Sequence, residues 1–278
     1  LMKTIKFYNA DSGLAVVMDI ETGQILSSVS LPDYNPQNKF SFNDNNLINR
    51  VFQSNFEMGS TFKPITATMG FDLGIIDPNM KFDVTKKYLN IGDHDKFKGN
   101  GIYDIEKIIV ESSNIGTAQI ASMIGKKNQI KFFDKLGFND RINIENKESA
   151  HPLGNQNNWG PLETATIGFG HGFSVTPLHL VKAYASLSNN GIEVFPTLNL
   201  NKEIVKKQIL KNKNSSHFFL SLLSSVVLKT EYTGPRVKVD GYQVGGKTGT
   251  SELINPNGGY YKDRNLTSFI GIFPINKP

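Results

Sequence analysis

Cysteine is absent from the 278 residues, which excludes disulfides and thiol catalysis and is compatible with an oxidising compartment. No apolar run reaches the ~18 residues of a membrane span. The longest, at 218–228, reads as a core helix, and the first residues show no signal-peptide pattern. Charge of one sign is not concentrated either. The formal charge is +5, but the basic residues are scattered lysines without a patch, so no nucleic-acid partner is expected. Histidine is sparse, with 5 in the chain. His94, in Gly92-Asp93-His94-Asp95, has no second histidine at ligand spacing, so that stretch reads as a surface loop and no metal is expected. What remains is ordinary for a soluble globular chain: 38% hydrophobic, 20% charged, and long enough for one large domain or two small ones.

The stretch that organises the chain is Glu57-Met58-Gly59-Ser60-Thr61-Phe62-Lys63-Pro64. Met58 and Gly59 read as a turn, and Pro64 falls near the first helical turn, where a missing N–H costs least. An apolar run at 65–73 follows, with Gly74 as its stop. A helix beginning at Ser60 puts Lys63 on the same face, one turn on. Serine is a weak nucleophile until a base stands beside it. A lysine amine serves as that base once burial or nearby cations lower its pKa. A helix N-terminus adds N–H groups aimed at an incoming carbonyl oxygen. Read alone, the same residues describe an N-capping serine and a solvated lysine.

Two further stretches change that weighting. Ser112-Ser113-Asn114 lies between an apolar segment at 105–110 and a helix-like run at 115–124, and Lys247-Thr248-Gly249-Thr250 follows a strand-like run at 239–244. S-x-x-K, a Ser-x-Asn triplet and K-T-G form the motif set of penicillin-binding proteins and serine β-lactamases, and here they occur in that order. Together with the spacing from Ser60 to Ser112, they make the chain resemble the transpeptidase domain of division-type class B penicillin-binding proteins. The resemblance extends to Val16-Val17-Met18-Asp19-Ile20-Glu21-Thr22-Gly23, to Asn49-Arg50 and to the segment from Gly172 to Leu180 around Val175-Thr176-Pro177-Leu178. Met58 stands where relatives carry proline, and His179 where they carry glutamine.

Local patterning supplies the rest. Runs at 14–20 and 25–31 around Glu21-Thr22-Gly23-Gln24 predict a hairpin. Helices are expected at 115–125, at 128–137 with Phe132, Phe133 and Leu136 in the core, and from Thr176-Pro177 to Asn190-Gly191. His179 reads as a structural residue and Glu163 as a helix-start or surface acid. Gly168-Phe169-Gly170-His171-Gly172 follows no strand and opens no phosphate-binding helix. Strands at both ends with helices between give an α+β layout. The resemblance implies more: a penicillin-binding-protein/serine β-lactamase-like transpeptidase fold, an antiparallel sheet with a large helical subdomain. One domain would cover 1–278, with the helical part, roughly 60–235, inserted between strands at 13–31 and 239–273. Set beside the family, the chain reads as truncated at both ends, without the last strand and closing helix, so the sheet is expected to lack a central member.

The resemblance also implies a mechanism. Ser60 attacks the carbonyl between the terminal D-Ala residues of a peptidoglycan stem peptide. Lys63 takes its proton, lowered in pKa by Lys247 and hydrogen-bonded to Asn114, and Ser112 relays a proton to the leaving amine. Lys247, Thr248, Gly249 and Thr250 bind the substrate, with Lys247, Thr248 and Thr250 on its carboxylate or on that of a β-lactam. The N–H groups of Ser60 and Thr250 form the oxyanion hole. No cofactor is implied. Implied partners are stem peptides, β-lactam antibiotics and division-complex proteins including a septal glycosyltransferase, at the periplasmic face of the inner membrane. The motifs are shared by serine β-lactamases, penicillin sensors and elongation-type transpeptidases, and the fold by a non-catalytic scaffold of the division complex. The elongation-type motif usually ends in Asp, so Asn114 favours the division type. The absence of E-x-x-L-N argues against a class A lactamase, and Asn114 in place of an apolar residue against class D.

Overall fold

The chain turns sharply at residues 19–24. Asp19 Oδ1 accepts from the Thr22 N–H at 2.7 Å and hydroxyl at 2.6 Å, and Gly23 adopts φ 75°. The computed structural model describes residues 1–37, 45–93, 101–154, 159–203, 205–230 and 233–278. Helix α1 (Met2–Tyr8) precedes the hairpin of β1 (Gly13–Met18) and β2 (Ile25–Leu31), which pair antiparallel as their alternation predicts. Helix α2 (Arg50–Gln53) is capped by Asn49, whose side chain accepts from Val51 N–H. It leads into β3 (Phe56–Glu57), a 3-10 turn (Gly59–Phe62) and α3 (Lys63–Asp72).

Helix α3 is the centre of the molecule. All but one of its residues are buried, as expected of a helix enclosed on every side. After β4 (Phe82–Asp83), β5 (Ile102–Tyr103) and α4 (Ile105–Val110), the long α5 (Asn114–Leu136) packs along it. The two helices expected at 115–125 and 128–137 are one element broken at Gly125, whose φ of 75° and ψ of 156° interrupt the helical backbone. Gly137, at φ 77°, closes it. Then come α6 (Pro161–Ile167), β6 (Ser174–Val175), which pairs with β3, and α7 (Pro177–Ser188). They are followed by α8 (Ser215–Lys229), also packed on α3, and α9 (Gly234–Val237).

The chain ends in a hairpin of β7 (Gly245–Ile254) and β8 (Tyr260–Ile272). The strand expected at 239–244 is not formed. Gly241 turns at φ 84°, Tyr242 N–H donates back to Val239, and Val239 and Tyr242 form only an isolated bridge. K-T-G itself lies inside β7, within the strands expected over 239–273. Among the described residues, β1–β2 and β7–β8 are separate two-stranded sheets, so the expected antiparallel sheet is divided. Phe132, Phe133 and Leu136 are buried as predicted. Phe133 sits among Phe62, Phe138, Trp159 and Phe173, with ring centroids 5.4–6.1 Å apart, directly beneath the 3-10 turn. His94 lies outside the described residues.

Candidate active site

The turn that carries Ser60 is wedged between two backbones. Gly59 takes φ 53° and its N–H donates to Gly170 O at 3.1 Å. A Cβ on Gly59 would stand 2.5 Å from Thr250 O and 3.4 Å from Thr250 N; one on Gly170 would stand 2.2 Å from Gly59 O. Gly249 approaches the same turn, its added Cβ meeting Met58 O at 2.7 Å. Only glycine allows backbones this close, and in this way the K-T-G strand is seated on the turn that carries Ser60. In a 3-10 turn residues i and i+3 eclipse, so Ser60 and Lys63 share a face. The bond from Lys63 N–H to Ser60 O is that turn's own. Phe62 pins the turn into the aromatic cluster below, and Tyr184 OH donates to Thr61 O at 2.7 Å.

Lys63 is fully buried, and its Nζ donates to the Ser112 carbonyl and, at 3.2 Å, to the Ser112 hydroxyl. Burial holds its pKa well below the usual lysine value and the charge of Lys247 lowers it further, while Asp93 acts in the opposite sense. Such an amine is suited to accept a proton near neutral pH. Lys247 is also buried, which brings it down to about 8, and its Nζ donates to Thr248 O at 3.2 Å. The structure therefore puts Lys63 on Ser112, with Lys247 close enough for its charge to act on Lys63. Asn114 differs: its amide is turned to Gly92 O at 3.5 Å, because its N–H, at the start of α5, is held by Asp93. Lys63 takes Ser112 as its partner instead.

A cleft of about 380 Å³ opens beside these groups, lined by Ser112, Lys247 and Thr248 with Val226, Val237 and Phe269 as apolar wall. That is the lower part of the range for small-ligand sites. Ser60 and Lys63 do not line it.

Sequence reasoning missed the groups that brace this site from a distance. Glu57 Oε1 accepts from Gly172 N–H at 2.9 Å and Tyr260 OH at 2.8 Å, and Oε2 pairs with His171 Nδ1 at 3.0 Å. Its carbonyl takes the Ser251 hydroxyl at 2.5 Å. His171, inside the glycine stretch set aside in the sequence, stacks on Tyr260. Burial pushes the Glu57 carboxyl up, but its contacts with His171, Tyr260 and Gly172 together leave it below the ordinary value. Glu57 in return raises His171. His179 is a structural residue, as expected: burial lowers it to about 4, and it bonds Thr176 Oγ1 and Asp140 O. Glu163 marks the start of α6, accepting from Gly160 N–H.

Among known proteins, residues 13–278 match the family described as the penicillin binding protein transpeptidase domain. The chain belongs to that family. The transpeptidase domain is 32% identical over 286 residues to the probable peptidoglycan D,D-transpeptidase FtsI of Caulobacter vibrioides, covering 100% of this chain and 48% of that protein. It is 30% identical over 282 residues to the probable peptidoglycan D,D-transpeptidase PenA of Neisseria flavescens, covering 100% of this chain and 69% of that protein. Its backbone is similar to the apo transpeptidase domain of Burkholderia pseudomallei penicillin-binding protein 3, with a TM-score of 0.86 and 27% identity, covering 100% of this chain and 80% of that one. These relatives are of the class B type, and the mixed helices and antiparallel hairpins are the α+β fold expected. The domain spans about half the length of the first of these relatives.

Proposed function

We propose that this domain is a serine D,D-transpeptidase that cross-links peptidoglycan stem peptides through an acyl-enzyme on Ser60. The observation that carries the reading is the buried Lys63, lowered in pKa by burial and by Lys247 and bonded to Ser112, which joins all three motifs at one amine. Ser60 gives its proton to Lys63 as its Oγ bonds to the carbonyl carbon of the penultimate D-Ala. The C–N bond then breaks and the leaving D-Ala amine takes a proton through Ser112. Asn114 helps to hold the motif loop. Lys247, Thr248 and Thr250 receive the substrate carboxylate, with Gly249 keeping the strand close. The Ser60 N–H lies in the first turn of its helix, where no intrahelical acceptor exists, and the Thr250 N–H stands nearby, which supports the pair as oxyanion hole. Losing one such donor costs about 3–4 kcal/mol in the transition state. An acceptor amine then takes the acyl group, and no step calls for a metal or organic cofactor.

The finer assignments rest on the resemblance. One transpeptidase domain spans 1–278, with the helical part between two hairpins. Asn114 at the end of the middle motif supports the division type, working with septal proteins such as a glycosyltransferase. No helix among the described residues is long and apolar enough to cross a membrane. The place proposed for the whole protein, the periplasmic face of the inner membrane, follows from the family.

The test is mass spectrometry after benzylpenicillin. A single penicilloyl adduct is expected on Ser60, abolished by Ser60→Ala and persisting for many minutes once free drug is removed. An adduct elsewhere defeats the assignment. Turnover of many β-lactam molecules per minute would make the protein a lactamase.

A further inference from the structure

Ser112 holds an unfavourable backbone. Its φ of 57° lies in the left-handed region that disfavours every residue but glycine. With that backbone, both its carbonyl and its hydroxyl meet Lys63 Nζ. The next three residues converge on one carboxylate. Asp93 Oδ2 accepts the Ser113 hydroxyl at 2.8 Å, and Oδ1 accepts the N–H groups of Asn114 at 2.5 Å and Ile115 at 3.0 Å. These are the first N–H groups of α5, which have no acceptor within the helix, and a carboxylate there also meets the positive end of the helix. The Ser113 hydroxyl acts twice: it donates to Asp93 and accepts from Gly116 N–H at 3.0 Å, so helix cap and carboxylate lock each other.

We propose that Asp93 is a positioning residue for acylation, clamping residues 113–115 so that Ser112 stays on Lys63 and supplying the counter-charge for the ammonium that forms there. This rests on the reading of Ser60 as nucleophile and Lys63 as base. In that step the Ser60 O–H bond breaks and its proton goes to the Lys63 lone pair. Ser60 Oγ bonds to the carbonyl carbon, and the C=O π pair moves onto oxygen. A buried ammonium results, which the charge of Lys247 on β7 disfavours and that of Asp93 favours. Glu111 lines the cleft beside Ser112.

The experiment is the second-order rate of acylation by a fluorescent penicillin, measured on the whole chain across pH. Asp93→Asn keeps the size and one acceptor oxygen but removes the charge. Its plateau rate falls about tenfold or more, and its acid limb moves to lower pH, because a charge that raised Lys63 is gone. Asp93→Glu keeps the charge and displaces the carboxylate by a methylene. Its rate falls while the acid limb stays with the parent. A purely structural cap would change the amount of active protein and its melting temperature but leave the acid limb in place. An Asp93→Asn variant with parental rate and profile overturns the proposal. Should that variant not fold, Asp93→Glu decides, and a parental rate there overturns it. A parent that forms no Ser60 adduct overturns the underlying reading instead, so the two failures are distinct.

Discussion

Glu57 ties three parts of the chain to the turn that carries Ser60: the Gly170–His171–Gly172 loop through His171 and Gly172, β8 through Tyr260, and β7 through Ser251. Its pair with His171 makes stability depend on pH in a definite sense. The His171 pKa is raised above 6.5, so its contribution is complete below that value and is lost as pH rises through the folded pKa. The Glu57 pKa is lowered below 4.5, so its contribution is complete above 4.5 and is lost as pH falls through the folded pKa. Stability should therefore be greatest between 4.5 and 6.5 as far as this pair decides it. The His171 side chain is 45% exposed, so screening keeps the effect to about 1 kcal/mol or less. Thermal melts of the parent and His171→Gln across pH are the check. The difference between the two curves should shrink on the alkaline side, and parallel curves would mean the pair adds nothing.

Phe62 fastens the 3-10 turn and α3 to Phe133 of α5 and to Phe138, both of which pack on Phe173. Phe62→Ala removes a fully buried ring stacked on Phe138 at 5.4 Å. It should cost about 3–5 kcal/mol, read as a lowered urea midpoint with the slope preserved. Against a typical total of about 5–15 kcal/mol, that loss is severe. This piece was legible in the sequence because its determinants are local: Gly59 for the turn, Pro64 for the helix start, Ser60 and Lys63 a turn apart. The Thr176 cap of α7 was legible for the same reason. The strand expected at 239–244 was misread because Val239, Tyr242 and Val244 favour a strand while Gly241 turns the chain. Asp93 and His171 escaped notice because their partners are remote. Asp93 binds a hydroxyl 20 residues away, and Glu57 takes a N–H 115 residues on. No periodicity or motif spacing records such a contact.

At the scale of the whole molecule, the α+β layout was readable from strands at both ends and helices between. The division of the sheet into two hairpins, and the backbone contact between Gly59, Gly170 and Thr250, required coordinates. The site is an assembly of three segments spread along the chain, joined at a lysine buried by all of them. A ribosome makes those segments in order. Ser60 and Lys63 emerge before Ser112, and Lys247 follows Lys63 roughly 10–40 s later at about 5–20 residues per second. Until β7 exists, Lys63 lacks the neighbouring charge that helps to lower its pKa and Gly59 lacks the strand it rests against. Stalled nascent chains of increasing length, probed with a fluorescent penicillin, should stay unlabelled through α8 and label only once β7 and β8 are both outside the ribosome. Gradual labelling from the Ser112 stage onward would contradict this. On the proposed reading, a growing chain thus carries Ser60 unarmed until β7 has been made, and the order in which residues are made becomes a safeguard against premature chemistry.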